Sequence, residues 1–180
     1  MDLVGARREL HRIAEEVVSP ARVAATGNEI ALEARPGGFG TPPFPGGGEV
    51  RVEGTSLVTV AADGVERRQP IAVDERAAEE IARVFAFAWD VLTELAPDRP
   101  IHLWPEHFDV AIELGRATYG VSPGDDDHDL PYLYVSLWDE VGPDPLWNAR
   151  AFRGAELDWP VDRAAALAFF ARCRVRVGGE

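Results

Sequence analysis

Between Asp74 and Leu95 the apolar residues recur at intervals of three and four, and no other feature of the chain constrains its fold so strongly. Ala78, Ile81, Ala82, Phe85, Ala88, Trp89 and Leu92 form the stripe, and Val84, Phe87 and Val91 widen it. A helix with so broad an apolar surface has to be covered on more than one side. It therefore predicts a central helix with further layers packed around it. Asp74 is placed to cap its first turn, and Pro97 and Pro100 stop it.

On either side of that helix the apolar period becomes two. Before it, strands are predicted at Glu29–Arg35, Glu49–Glu53, Ser56–Ala61 and Val65–Ile71, the last two joined by the tight-turn signal Asp63-Gly64. Residues Gly37 to Gly48 (GGFGTPPFPGGG) read as a long loop pinned by Phe39 and Phe44, with a flap over a pocket as the functional alternative. After the helix, strands are predicted at His107–Leu114, Ala117–Ser122, Tyr132–Trp138 and Trp147–Phe152. Helical spacing over residues 2–18 ends at Ser19-Pro20, with a short continuation beyond it, and a last helix runs from about Val161 to Arg174 with Asp162 as its cap. Short turns between strands imply antiparallel pairing. The expected architecture is α+β: an antiparallel curved sheet or open barrel of about eight strands, with three main helices packed on it. The 180 residues suit one domain, 1–180. Because helix and four strands occur twice, the plan suggests two similar halves, 1–96 and 97–180, although no residue-level repeat accompanies it.

Charge narrows the partners. The chain carries 18 basic residues against 31 acidic ones, a net charge of −13, and every basic residue is Arg. Without lysine there is no Schiff base, no lysine general base and no P-loop lysine. A balance this negative repels nucleic acid and anionic lipid, so neither is expected as a partner. No stretch approaches the ~18 apolar residues of a membrane helix. Asp2, Arg7 and Arg8 without a following apolar run argue against a signal peptide, so the expected location is the cytoplasm. The single Cys173 lies in an apolar helical stretch and reads as a core thiol.

Chemistry-bearing residues concentrate after position 100. Strict alternation in His107–Leu114 places His107, Asp109 and Glu113 on one face and Phe108, Val110 and Ile112 on the other. In Tyr132–Trp138 the matching face carries Tyr132, Tyr134, Ser136 and Trp138, and Arg150 comes from Trp147–Phe152. Aromatic walls with a few converging polar groups are the composition of a ligand pocket; a solvated outer face would also accommodate them. His107 and Asp109, two residues apart, would point the same way about 7 Å apart. A carboxylate beside an imidazole raises its pKa and fixes its tautomer, which suits a general base. The loop Gly124–Asp129 (GDDDHD) holds four carboxylates in five residues, which repel one another unless solvated or neutralised. It reads as a solvated acidic turn or as a divalent-metal or cationic-substrate site built on Asp125, Asp127 and His128. Its spacing is not that of an EF-hand, and nucleophile-elbow, Cys-x-x-Cys, His-Glu-x-x-His and dinucleotide motifs are missing.

The segments PGGFGTPP (36–43), LWPEHFD (103–109) and YGVSPGDDDHDLPYLYVSLW (119–138) resemble those of uncharacterised actinobacterial proteins and of a broader bacterial family of unknown function. Scarce Asn and Ile beside abundant Ala, Gly and Arg agree with a high-GC genome. The resemblance implies no activity, cofactor or catalytic residue. From the residues themselves, the expected function is small-molecule binding with general acid/base catalysis. His107 would be the base, Asp109 its orienter and Tyr134 a hydrogen-bond donor, with Glu113, Tyr132, Ser136, Trp138 and Arg150 around the ligand. The rivals are a metal-dependent hydrolase using His107, Asp109 and the acidic loop, and a protein-interaction module without chemistry. Neither oligomeric state nor substrate follows from the sequence.

Overall fold

The structure, a computed structural model, describes residues 1–178. Its N-terminal helix α1 (Leu3–Ile13) passes through one π turn (Ala14–Val18) directly into α2 (Ser19–Thr26). Ser19-Pro20 therefore does not end the helix as expected. The proline falls in the first turn after the π segment, whose wider winding relieves the clash that its ring makes with the carbonyl four residues back.

The strands form two antiparallel sheets. The first is a meander of β1 (Glu33–Arg35), β2 (Gly38–Gly40), β3 (Glu49–Glu53), β4 (Ser56–Val60) and β5 (Glu66–Pro70). The second, laid down after α3 (Glu75–Leu95), runs β6 (His102–Trp104), β7 (Asp109–Leu114), β8 (Ala117–Ser122), β9 (Tyr132–Leu137) and β10 (Gly154–Asp158). Helix α4 (Arg163–Val177) follows. Fold class and antiparallel pairing agree with the expectation. The single eight-strand sheet or barrel does not: ten strands among the described residues divide into two sheets, and neither closes. The sheets meet where β1 and β6 approach. There Leu32 and Leu103, both fully buried, exchange backbone hydrogen bonds of 2.7 and 2.9 Å.

Two local expectations fail for physical reasons. The Gly/Pro loop contains β2, because Phe39 is worth more buried than its flanking glycines cost in strand propensity. The glycines also have a use, since a Cβ on Gly38 would lie 2.4 Å from the Val52 carbonyl oxygen. Trp147–Phe152 is not a strand; the tenth strand lies just beyond it. The Asn148 amide instead stands in for a neighbouring strand along β10, donating to the Glu156 carbonyl at 3.1 Å and accepting from its N–H at 2.9 Å.

Helix α3 packs against both sheets, α1 and α4. Phe85 meets Phe39 of β2 and Phe108 of the β6–β7 turn edge-on, at centroid separations of 6.2 and 5.1 Å. The inward faces of β7, β8 and β9 supply Val110, Ile112, Tyr119, Val121, Leu133 and Val135 to the same core. Cys173 lies fully inside it, where burial pushes the thiol up to about 12. Asp74 accepts from the Ala77 N–H at 3.0 Å as the N-cap of α3. An Asp74→Ala protein should lose about 1 kcal/mol in chemical denaturation, and an unchanged midpoint would show that the cap is dispensable. No helix among the described residues is long and apolar enough to cross a membrane.

Candidate functional site

The outward face of the second sheet carries a cleft of about 660 Å³. Its floor follows from register. Ala111, Gly120, Tyr134 and Glu156 lie in one row across β7, β8, β9 and β10, and Glu113, Thr118 and Ser136 form the adjacent row. Because Ala111 and Gly120 are small, the Tyr134 ring lies flat over β8. A Cβ on Gly120 would come within 2.5 Å of three of its ring and hydroxyl atoms. Lying there, Tyr134 spans a whole strand and donates its hydroxyl hydrogen to Asp109 Oδ2 on β7.

Asp109 is the group this geometry isolates. Its side chain is almost wholly buried, with a relative exposure of 4%. Its second oxygen, Oδ1, has no hydrogen-bond partner. Burial pushes the carboxyl up to about 6, against the pull of the Tyr134 hydrogen bond and of the nearby His107 and His11 imidazoles. Burial also drives the Tyr134 hydroxyl well above the ordinary phenol value, reinforced by the charge of Asp109. A carboxyl that holds its proton into the neutral range is a competent proton donor and acceptor.

The backbone delivers Asp109 to the floor by an unusual device. Phe108 has φ 53°, in the left-handed region that aromatic residues avoid. That single residue sends its own ring into the core and Asp109 into the cleft, and Phe108 is held there by Phe39, Phe85 and the stacked His11 ring at 5.3 Å. The strand consequently starts at Asp109 and not at His107. His107 sits exposed in the β6–β7 turn, where it lines the cleft mouth but not the sheet. The expected His107–Asp109 alternation along one strand is thus corrected, while both residues still face the same cavity.

Glu113, Tyr132 and Ser136 also line the cleft. Trp138 lies one residue past β9 and donates its indole N–H to Thr118 Oγ1 at 3.0 Å, outside the lining. Arg150 lines a separate cavity of about 570 Å³ beside Asn148, His128 and Glu156, because its segment is not part of the sheet. The Gly/Pro loop does not border this cleft; its Gly37 lines a separate cavity beside α3, and Phe39 is fully buried.

The acidic loop forms one edge. Asp125 Oδ1 accepts the N–H groups of Asp127 and His128 at 2.8 and 2.9 Å, and Oδ2 accepts the Tyr132 hydroxyl. Burial pushes Asp125 up, but these hydrogen bonds outweigh it and hold the carboxyl below its usual value. His128 stacks on Tyr132 at 4.3 Å and places Nε2 3.2 Å from a Glu156 carboxylate oxygen. Asp127 is exposed. The expected set of Asp125, Asp127 and His128 does not converge, and no group of three or more His, Cys, Asp or Glu among the described residues could hold a metal ion. Two backbone N–H groups and the Tyr132 hydroxyl together occupy most of the acceptor capacity of Asp125.

Helix α1 contributes groups the sequence reading missed: Arg7, Arg8 and His11 along one wall. Arg7 is 3% exposed and donates to the His128 carbonyl at 2.9 Å, tying the acidic loop to the helix. The signal was legible in principle, since Arg7 and His11 stand four residues apart beside the apolar Leu3, Leu10 and Ala14. Gly120 was also missed, although an isolated glycine inside a strand marks a close approach. Comparisons with protein-family models, with curated proteins and with solved structures found no match to this chain.

Proposed function

We propose that the cleft binds a small organic molecule and that Asp109 is its proton-transferring group. Tyr134 holds the Asp109 carboxyl in place, and His107 at the mouth exchanges protons with solvent. This reverses the roles suggested by sequence, where His107 was the base and Asp109 the orienter. One observation supports it above the others: a buried carboxyl with one oxygen unpartnered lies on the floor of an open cavity. Burying such a group costs stability, and sites of that kind are concentrated where chemistry is done. Trp104, Tyr132 and Phe152 give the cavity the aromatic walls usual for organic ligands. With a net charge of −13, neither nucleic acid nor an anionic membrane suits it as a partner.

The test is a fragment library of mixed charge, screened by amide chemical-shift mapping. Hits should perturb residues around Asp109, Tyr132 and Tyr134, and Tyr134→Phe, which removes the hydrogen bond that positions the Asp109 carboxyl, should weaken them about tenfold. Hits that scatter over the surface, or none in the cleft, would remove the small-molecule reading.

A further inference from the structure

Resting on that small-molecule reading, we infer that the ligand is an organic cation, a compound whose amine, amidine or guanidinium group reaches the Asp109 carboxyl. Both phenols on the floor have given up their hydrogens: Tyr134 donates to Asp109 and Tyr132 donates to Asp125. What they turn to the cleft is therefore lone pairs. The unpartnered Oδ1 of Asp109, closed off from solvent beneath the floor, is a further acceptor, so a ligand group that reaches it has to be a donor.

The surrounding charge agrees. Carboxylates of Glu106, Asp109, Glu113, Asp125, Asp126 and Asp127 line the cavity. Two arginines oppose them, and both are engaged: Arg7 with the His128 carbonyl at 2.9 Å, and Arg8 with Asp126 at 3.7 Å. Neither Glu106 nor Glu113 is ion-paired among the described residues. Trp104 and Phe152 complete a lining that accommodates a cation, since electron-rich rings attract positive charge. A carboxylate ligand would meet like charge on most sides.

Binding should then be coupled to protons. A cation favours the ionised carboxyl, so it displaces the Asp109 proton wherever that proton is still held. With the carboxyl at about 6, its ionised fraction rises about tenfold between about pH 5 and about pH 7. The groups facing Asp109 are His11 on α1, His107 in the β6–β7 turn, Tyr134 and Tyr132 on β9, and Glu113 on its own strand.

The experiment compares three planar probes of matched shape: benzamidine, benzamide and benzoate. Chemical-shift titrations of the full chain should place benzamidine in the cleft, at least about tenfold tighter than the other two. Its affinity should weaken about tenfold from about pH 7 to about pH 5, and most of that dependence should vanish in Asp109→Asn. Should that variant not fold, Glu113→Gln, an exposed change, should weaken benzamidine severalfold and leave benzamide untouched. Tighter binding of benzoate or benzamide would overturn the cation inference and leave the small-molecule reading intact. So would neutral or acidic hits alone from the mixed-charge library. An empty cleft across that whole library is the separate outcome that removes both.

Discussion

Between about pH 3 and about pH 8, an Asp109→Asn protein is expected to gain about 3 kcal/mol of stability on its parent. The magnitude is the roughly 2-unit rise of the carboxyl, from 3.8 to about 6, at about 1.4 kcal/mol per unit. The folded state holds the Asp109 proton more tightly than the unfolded chain does. Its contribution is thus complete below about pH 4 and is lost as the pH climbs through about 6. Asparagine has nothing to ionise, so only the parent weakens over that window. Carboxylates such as Glu53 and Asp125, held below their usual values, produce the opposite trend, but they are common to both proteins and cancel in the difference. Urea denaturation of both proteins across the range measures it. A flat difference, or one growing toward acid, would mean that Asp109 is not held neutral by burial. The same change should abolish proton transfer, so a position where stability rises as function is lost would mark the carboxyl as retained for its chemistry.

Gly120→Ala should be costly in the other direction, by about 2–3 kcal/mol, because a methyl group there overlaps the Tyr134 ring in a packed sheet. Relief requires Tyr134 to lift off β8, and lifting breaks its hydrogen bond to Asp109. Two readouts should therefore move together: the denaturation midpoint, and the affinity of any cleft ligand. A protein that loses stability but keeps full ligand affinity would show that the ring's position over the glycine is not what shapes the floor. Tyr134→Phe separates the terms, since it keeps the ring and removes only the hydroxyl.

The sequence was most informative where periodicity was strict and both neighbours were apolar. Helix α3, capped by Asp74, and strands β3, β7, β8 and β9 lie within two residues of their expected limits. Periodicity failed where one residue carried the decision. Phe39 builds a strand within a run of glycines and prolines that otherwise reads as loop. Phe108, by adopting positive φ, breaks the alternation on which the placement of His107 rested. Asp109, Glu113, Tyr132, Tyr134 and Ser136 do gather on one face, because alternation along β7 and β9 with short connections leaves little choice of register. What sequence could not supply was the wall from α1. Arg7 and His11 precede Asp109 by about a hundred residues, and only tertiary packing brings them to it.

The contact between Leu32 and Leu103 has a kinetic meaning. Each sheet is a run of sequence-adjacent hairpins that can form early from local contacts, whereas this one pair of reciprocal hydrogen bonds closes a span of about seventy residues. It is the seam of the molecule. The Leu32 and Leu103 amides should share one deuterium-exchange rate, set by the opening of the two sheets away from each other and away from α3. A faster common rate there than in β8 would reveal a partly open species in which both sheets persist and only their join has parted.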